Sequence, residues 1–180
     1  MVGGEGKTRG FSWEEIGDID AGRPLLGLLA PVAMYRLLQF SLRHAIVAAH
    51  GAEAAAKLLA AAGHIAGSEF CKHVLDRTLA PGPFLAALQQ RMREWGIGLL
   101  RIEQADFERL DLVLTVAEDL DCSGLPVTGD TVCDFDEGFI AGIFREYSGR
   151  EFTAREVDCW ASGERVCRFV VKPAGGADGT

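Results

Sequence analysis

The sequence predicts an α+β fold in which helices pack on a small antiparallel sheet. Apolar residues recur with a helical period from residue 31 to about residue 94, and the period changes to alternation near residue 99. One further helical stretch then precedes two short strands at the end of the chain. A length of 180 residues is enough for one hydrophobic core and suits a single domain.

The first long helix is predicted from Pro31 to about His50. Proline favours the first turn of a helix, and Gly51 ends the pattern. Six apolar residues recur at helical spacing and define one face of this helix. They are Met34, Leu37, Leu38, Leu42, Ala45 and Ile46.

Two more helical regions follow. Alanine-rich residues 52–62 predict a helix, Gly63 interrupts it, and a further helix is expected over residues 65–79. The small side chain of Gly67 favours a close contact with another helix. Helix resumes at residues 84–94, after a segment that holds two prolines and a glycine.

The remaining elements form the sheet and one helix. Strands are predicted at residues 99–104 and 110–116, and we expect them to pair antiparallel. Residues 132–147 predict a helix whose acidic first turns favour the helix dipole. Two final strands, at residues 153–159 and 166–172, are predicted to form a hairpin.

The composition excludes some partners. A formal net charge of −8 and a pI near 5.0 argue against a nucleic-acid surface, because phosphate binding needs a basic stripe. The same acidity disfavours an anionic membrane surface. The longest apolar run, residues 25–34, is far shorter than the ~20 residues of a membrane span.

The chain ends are expected to lie outside the domain. Residues 1–10 and 173–180 are rich in glycine and are predicted to be disordered, which leaves residues 11–172 as the single domain. The first ten residues do not resemble a secretory signal, so a cytoplasmic location is expected. Five cysteines, an odd number, then read as thiols or metal ligands rather than disulfides.

Four metal-binding side chains are concentrated in the last third of the chain. Cys133 comes first, and Glu156, Cys159 and Cys167 lie within one twelve-residue window. The predicted hairpin places Cys159 and Cys167 at neighbouring strand ends, and Cys133 begins the preceding helix. Three thiolates and one carboxylate suit zinc, so we predict a closed structural zinc site.

Other assignments of this site stay open at this point. The three cysteines could be buried thiols without a metal, and a water or a histidine could replace Glu156 in the shell. A catalytic zinc would need an open position and a nearby base. Cys71 and Cys122 are expected to be buried apolar residues. No two histidines have the spacing of a helical metal pair; they are His44, His50, His64 and His73.

These residues resemble the 4-vinyl-reductase-type ligand-binding domain family. The resemblance is carried by Cys133, the segment Gly138-Phe139-Ile140-Ala141-Gly142, Glu156, Cys159 and Cys167. It extends to most of the chain through further matching positions, which are Ala161, Gly163, Phe169 and residues 35–38 and 62–67.

The resemblance implies a fold and a pocket. The family is similar to the small subunits of a vesicle-tethering transport-particle complex and to haem nitric-oxide sensor domains, with helices on a small antiparallel sheet around an apolar pocket. In the related sensor domains of aromatic-responsive activators, the equivalents of Cys133, Glu156, Cys159 and Cys167 bind zinc beside a pocket for phenolic or benzenoid effectors.

The candidate pocket residues follow from the same resemblance. Phenol sensors hold the effector hydroxyl with a histidine and a tryptophan. Ungapped spacing from the first cysteine leads to Phe84 and Leu112, and neither side chain donates that hydrogen bond. Trp95 is kept as a candidate, together with His73 if the register shifts. The aromatic residues Phe135 and Phe139 are either core or ligand contacts.

The sequence therefore predicts a zinc-stabilised module that binds or senses a hydrophobic small molecule, which could be aromatic, a lipid or a tetrapyrrole. The first alternative is a tetrapyrrole-binding accessory or vinyl reductase-like protein of (bacterio)chlorophyll metabolism. The second alternative is an acyl-binding scaffold. Binding is favoured over catalysis, because the chain has no glycine-rich phosphate loop. A homodimer is expected, with residues 27–38 as its interface.

Overall fold

The computed structural model describes residues 10–109 and 111–175. The chain divides into two compact units, residues 1–30 and residues 31–180. In the first unit, a 3-10 turn covers Trp13–Ile16 and a short helix, α1, covers Ile19–Gly22. The carboxylate of Asp18 accepts a hydrogen bond of 2.9 Å from the Ala21 amide and thereby caps α1.

The second unit contains four helices and four strands. The helices are α2 (Val32–His50), α3 (Ala52–Val74), α4 (Pro81–Glu94) and α5 (Asp134–Ser148). The strands are β1 (Leu99–Asp106), β2 (Asp111–Ala117), β3 (Phe152–Asp158) and β4 (Cys167–Pro173).

The four strands form one sheet in the order β1-β2-β4-β3, and every neighbouring pair is antiparallel. The β3-β4 hairpin and the β1-β2 pair were both expected. The central pairing of β2 with β4 was not, and it places Val116 opposite Cys167. This confirms the α+β class, with helices packed on a small antiparallel sheet.

Helices α3 and α5 approach each other at backbone distance, because glycines line their contact. A Cβ atom on Gly63 or Gly67 would lie 2.0 Å from the carbonyl oxygen of Phe135 or Phe139. In the other direction, a Cβ atom on Gly138 would lie 1.9 Å from the Ala60 oxygen, and one on Gly142 would lie 2.2 Å from the His64 oxygen. Only glycine permits such contacts, so these four positions fix the α3-α5 packing.

Several predicted boundaries need correction. Gly63 does not interrupt a helix, because α3 is continuous over Ala52–Val74 and uses this glycine for packing. This helix also ends five residues before the predicted end at residue 79. Helix α4 begins at Pro81 rather than at residue 84, since proline is tolerated in a first turn.

The predicted apolar face of α2 does not join the core. None of the helix's residues is buried, and Leu37 and Leu38 are 63% and 69% exposed. The core instead lies between the sheet and helices α3, α4 and α5, with Phe84, Phe144 and Phe169 among its fully buried side chains.

The expectations for the chain ends are only partly covered. Residues 1–9 and 176–180, and Leu110 in the predicted second strand, lie outside the described residues. Pro173, expected in the disordered end, is the last residue of β4. A single domain over residues 11–172 stays a prediction. Within the described residues, no helix has the length and apolar character that crossing a membrane requires.

Candidate metal and ligand site

Four cysteine side chains meet at one end of the sheet. Cys133 caps the start of α5, Cys159 follows β3, Cys167 begins β4, and Cys122 lies in the loop after β2. All four sulfur atoms lie within 4.8 Å of one another, and all four residues are buried. The Sγ of Cys133 is 3.8 Å from the Sγ atoms of both Cys159 and Cys167. This spacing allows the four thiols to hold one metal ion.

The fourth thiol is Cys122, which the sequence had assigned to the apolar core. Its Sγ lies 3.0 Å from the Sγ of Cys167. The turn that leads to it contains Glu118 with a φ of 52°, in the left-handed region. The carboxylate of Asp119 then accepts hydrogen bonds from the amides of Asp121 and Cys122, at 2.8 and 3.0 Å. These bonds hold the loop in the shape that turns Cys122 toward the cluster.

Glu156, the predicted fourth ligand, lies beside the thiols and not in the four-sulfur group. Its Oε2 accepts a hydrogen bond of 3.2 Å from the amide of Cys133, and its own amide donates one of 2.7 Å to Glu137. These two bonds tie β3 to the first turn of α5. The Oε1 atom of Glu156 is buried and has no partner among the described residues. Burial raises the pKa of Glu156 to about 8.

The thiols strongly influence one another's ionisation. Hydrogen bonds from the three neighbouring thiols lower the pKa of Cys159. The interaction with Cys122 leads the causes that raise the pKa of Cys133 and Cys167. Without a bound cation the cluster therefore favours one thiolate shared among several thiols, and metal binding would have to displace protons.

A second group of buried ionisable residues adjoins the thiols. Asp119, Asp121 and Asp136 are each at most 8% exposed. Burial is the leading cause that raises the pKa of all three carboxyls, to about 7 for Asp119. For Asp136 the next causes are the neighbouring acidic groups. The Oδ2 atom of Asp136 is buried without a hydrogen-bond partner in the described part of the chain.

Helix α2 contacts this region through polar side chains. The hydroxyl of Tyr35 donates a hydrogen bond of 2.7 Å to Asp121, and Gln39 donates one to the other oxygen of the same carboxylate. The guanidinium of Arg36 donates to the carbonyl oxygens of Leu120 and Ser123, at 2.8 and 2.9 Å, and to that of Asp119. The loop that carries Cys122 is therefore fixed from one side by α2.

A small, mainly apolar pocket lies between α2, α5 and this loop. Its volume is about 160 Å³. Five of its lining residues are aromatic or aliphatic in body, and two are carboxylic acids. They are Tyr35, Ile97, Leu120, Asp121, Phe135, Asp136 and Phe139.

The predicted pocket residues separate into two groups. Phe135 and Phe139 line the pocket, with ring centroids 6.3 Å apart. Phe84 instead stacks on Tyr147 in the core, and Leu112 is buried in β2. Trp95 is about half exposed and meets the ring of Phe70 edge-on. A ligand contact for the last three stays a prediction, and none of them belongs to the lining of this pocket.

Sequence reasoning missed the polar lining residues, namely Tyr35, Asp121 and Asp136. One signal was present: Asp119 and Asp121 flank a leucine directly before Cys122, in a loop without any period. Acidic residues next to a cysteine are unusual in an apolar core. Two larger depressions, of about 430 and 300 Å³, border Arg93 on the surface and are remote from the thiols in their lining.

Comparison with known proteins agrees with this architecture. Residues 112–173 match the vinyl-4-reductase domain, which confirms the resemblance to the 4-vinyl-reductase family. Two uncharacterized proteins of Methanocaldococcus jannaschii are similar in sequence. MJ0150 is 26% identical over 106 residues, which cover 59% of this chain and 60% of that protein. MJ1642 is 36% identical over 53 residues, or 29% of this chain and 33% of that protein. The chain thus spans less than two thirds of either relative.

Three solved structures share the fold. The phenol-responsive sensory domain of the transcription activator PoxR, with phenol, has a TM-score of 0.63 at 19% identity, covering 82% of this chain and 76% of that one. A vinyl-4-reductase family protein from M. jannaschii has a TM-score of 0.58 at 15% identity, with coverage of 83% and 85%. Subunit 3 of a trafficking protein particle complex from Naegleria fowleri, covalently bound to palmitic acid, has a TM-score of 0.63 at 9% identity, with coverage of 79% and 94%.

Proposed function

We propose that this chain is a binding or sensing module for a small hydrophobic molecule with one aromatic ring. The observation that carries the proposal is the pocket of about 160 Å³, closed by Phe135 and Phe139 on one side and by the loop of Cys122 on another. An apolar protein cavity of ~150 Å³ binds benzene, so this volume suits a single ring. The structural similarity to a phenol-responsive sensory domain supports the same class of ligand.

The pocket volume favours this function over the two alternatives. A tetrapyrrole has four linked rings and would need a far larger cavity than one that accommodates a single ring. The similar trafficking subunit that carries palmitic acid keeps the acyl-binding scaffold as a second candidate. That candidate requires a long tunnel and a ligand that copurifies, which native mass spectrometry would detect.

We propose that the four thiols hold a structural zinc ion. A tetrahedron with Zn–S bonds of ~2.3 Å has edges of ~3.8 Å. Two of the sulfur separations match that edge, and the third is shorter at 3.0 Å. Four thiolates fill the shell, so the ion has no open position for catalysis and the module binds rather than catalyses. The five free cysteines support a reducing compartment such as the cytoplasm.

The identity of the fourth ligand can be tested with three variants of the full chain. Cys122→Ser should lower zinc affinity by more than ~100-fold, because it removes a ligand. Glu156→Gln should lower it by about 10-fold, since it removes only a neighbour that orients Cys133. Cys71→Ala, a buried cysteine outside the cluster, should bind zinc as the natural sequence does. Competition with a chelating dye measures all four proteins, and the reverse order would assign the ligand role to Glu156.

Ligand binding can be tested with a panel of one-ring compounds. At least one of toluene, phenol, benzyl alcohol and benzylamine should raise the melting temperature of the zinc-loaded protein in a concentration-dependent way. Leu120→Trp should abolish that shift, because the larger side chain fills the pocket. Val127→Trp, at an exposed position outside the lining, should preserve it. The proposed function would be wrong if no compound of the panel shifted the melting temperature.

We also propose that a second copy of the chain covers the outer face of α2. The support is that this helix presents its polar side chains to the protein and its large apolar ones outward. Met34 is 58% exposed and Leu42 is 49% exposed, in line with Leu37 and Leu38 between them. Contiguous apolar patches of this kind mark interaction sites in monomeric folds.

A further inference from the structure

We propose that the pocket selects a primary amine with one aromatic ring and binds it as the ammonium cation. This inference rests on the proposed function, because it names the ligand class of the same pocket. Three independent features of the lining support it: the hydrogen-bonding capacity of its polar groups, the charge around Asp136, and the arrangement of its aromatic rings.

The polar groups of the lining have spare capacity only as acceptors. Tyr35 spends its single hydroxyl proton on Asp121, at 2.7 Å. Asp121 already accepts from Tyr35 and Gln39 and has no proton to give as a carboxylate. Asp136 is 8% exposed, and its Oδ2 atom has no partner within the described chain. A ligand that satisfies these oxygens must donate, and an ammonium group carries three donors where a phenol carries one.

The surroundings of Asp136 lack a compensating positive charge. Asp119, Asp121 and Glu156 are the acidic residues that act on it. The nearest arginines are already engaged: Arg36 donates to three backbone carbonyls, and Arg43 pairs with the carboxylate of Asp134. A zinc ion held by four thiolates would add a net negative charge to the same region. A buried charge needs a partner, and a cationic ligand would provide one.

The aromatic rings complete a site for a cation with an apolar body. Phe135 and Phe139 are nearly parallel, with an interplanar angle of 17°, and both line the pocket together with the ring of Tyr35. Ring faces attract cations, and the attraction is strongest where water is excluded. The same rings also pack against an aromatic ligand. The pocket thus offers acceptors, uncompensated negative charge and ring faces around one small volume.

Matched ligands test this inference on the zinc-loaded full chain. Benzylamine and benzyl alcohol have the same ring and chain length, and at pH 7 only the amine carries a charge. Isothermal titration should give a dissociation constant for benzylamine at least about tenfold below that for benzyl alcohol. Asp136→Asn should remove that preference while neutral compounds still bind. Asp134→Asn, an acidic residue on the same helix outside the lining, should keep it.

The outcomes separate the inference from the proposed function. Equal or tighter binding of benzyl alcohol or toluene by the natural sequence overturns the amine inference and leaves a pocket for neutral aromatic molecules. A full preference for benzylamine in Asp136→Asn also overturns it. The comparison of ligands on the natural sequence needs no variant, so it decides the question even if Asp136→Asn does not fold. If no compound binds at all, the proposed function fails as well.

Discussion

Helices α2 and α3 are consecutive and similarly apolar, but they contact the protein in opposite ways. Seven residues of α3 are buried, whereas none of the nineteen residues of α2 is buried. Helix α3 touches α5 through glycines, so the two backbones themselves are in contact. Helix α2 touches the loop at residues 119–123 through the side chains of Tyr35, Arg36 and Gln39.

The difference shows that an apolar stripe does not by itself tell which side of a helix faces the core. In α3 the positions of the small residues decide the packing, because only they permit the close approach. In α2 the polar residues decide it, because buried carboxylates and backbone carbonyls in the loop need hydrogen-bond donors. The large aliphatic residues of α2 are then left on the outer surface.

The largest effect is expected where α3 and α5 are in backbone contact. Gly67→Ala places a Cβ atom 2.0 Å from the Phe139 oxygen, which neither helix can relieve by rotating a side chain. We expect a loss of unfolding free energy at or above the upper end of the ~1–3 kcal/mol typical of overpacking. Chemical denaturation followed by circular dichroism measures it.

The control for this substitution lies in α4. Gly82 is also helical, but a Cβ atom there meets nothing within 4 Å. Gly82→Ala should therefore be neutral or stabilise the protein by up to ~1 kcal/mol, because alanine lowers the entropy of the unfolded chain. If both glycine variants had the same small effect, the close contact between α3 and α5 would be wrong.

A smaller effect is expected where α2 is attached by hydrogen bonds. Arg36→Ala removes the donors of the carbonyl oxygens of Leu120, Ser123 and Asp119. We expect a loss of about 2 kcal/mol, the typical value for a hydrogen bond to a charged group, because water can replace part of the contact. The same variant should bind zinc more weakly, since the loop that carries Cys122 loses its support.

Arg91→Ala is the matched control for that experiment. Arg91 also lies on a helix and forms an ion pair of 2.7 Å with Glu94, but the pair lies on the surface. Surface ion pairs contribute ~0–1 kcal/mol, so this variant should stay near the stability and zinc affinity of the natural sequence. An equal loss in both variants would contradict a specific role of Arg36 in fixing the loop.

The contrast between the two helices also explains what the sequence could predict. The strands and the β3-β4 hairpin follow from local alternation and turn residues, and three of the four thiols follow from the hairpin. Cys122 depends on the pairing of β2 with β4, which places Val116 opposite Cys167 and brings the next loop to the cluster. That pairing joins strands separated by a helix, and no local pattern encodes it.

The pocket was harder to predict for the same physical reason. Its lining comes from α2, from α5 and from two segments on either side of the β1-β2 hairpin, so no window of the sequence contains it. Phe135 and Phe139 could be found because they recur on one helix face. Tyr35 and Asp121 are partners only in three dimensions, with 86 residues between them along the chain.

The smallest effect on folding, and the sharpest test of the comparison, concerns the outer face of α2. Leu37→Ser and Leu38→Ser change side chains that are 63% and 69% exposed, so each should alter the unfolding free energy of the monomer by no more than ~0.5 kcal/mol. The double variant should nevertheless dissociate a homodimer, because both leucines would be buried in it. Light scattering coupled to size-exclusion chromatography gives the mass. Leu58→Ser, at a leucine of α3 that is 51% exposed, should leave the mass unchanged. A natural sequence that is monomeric at every concentration, or a double variant that stays dimeric, would rule out this interface and leave α2 as a helix that is held only by its polar side.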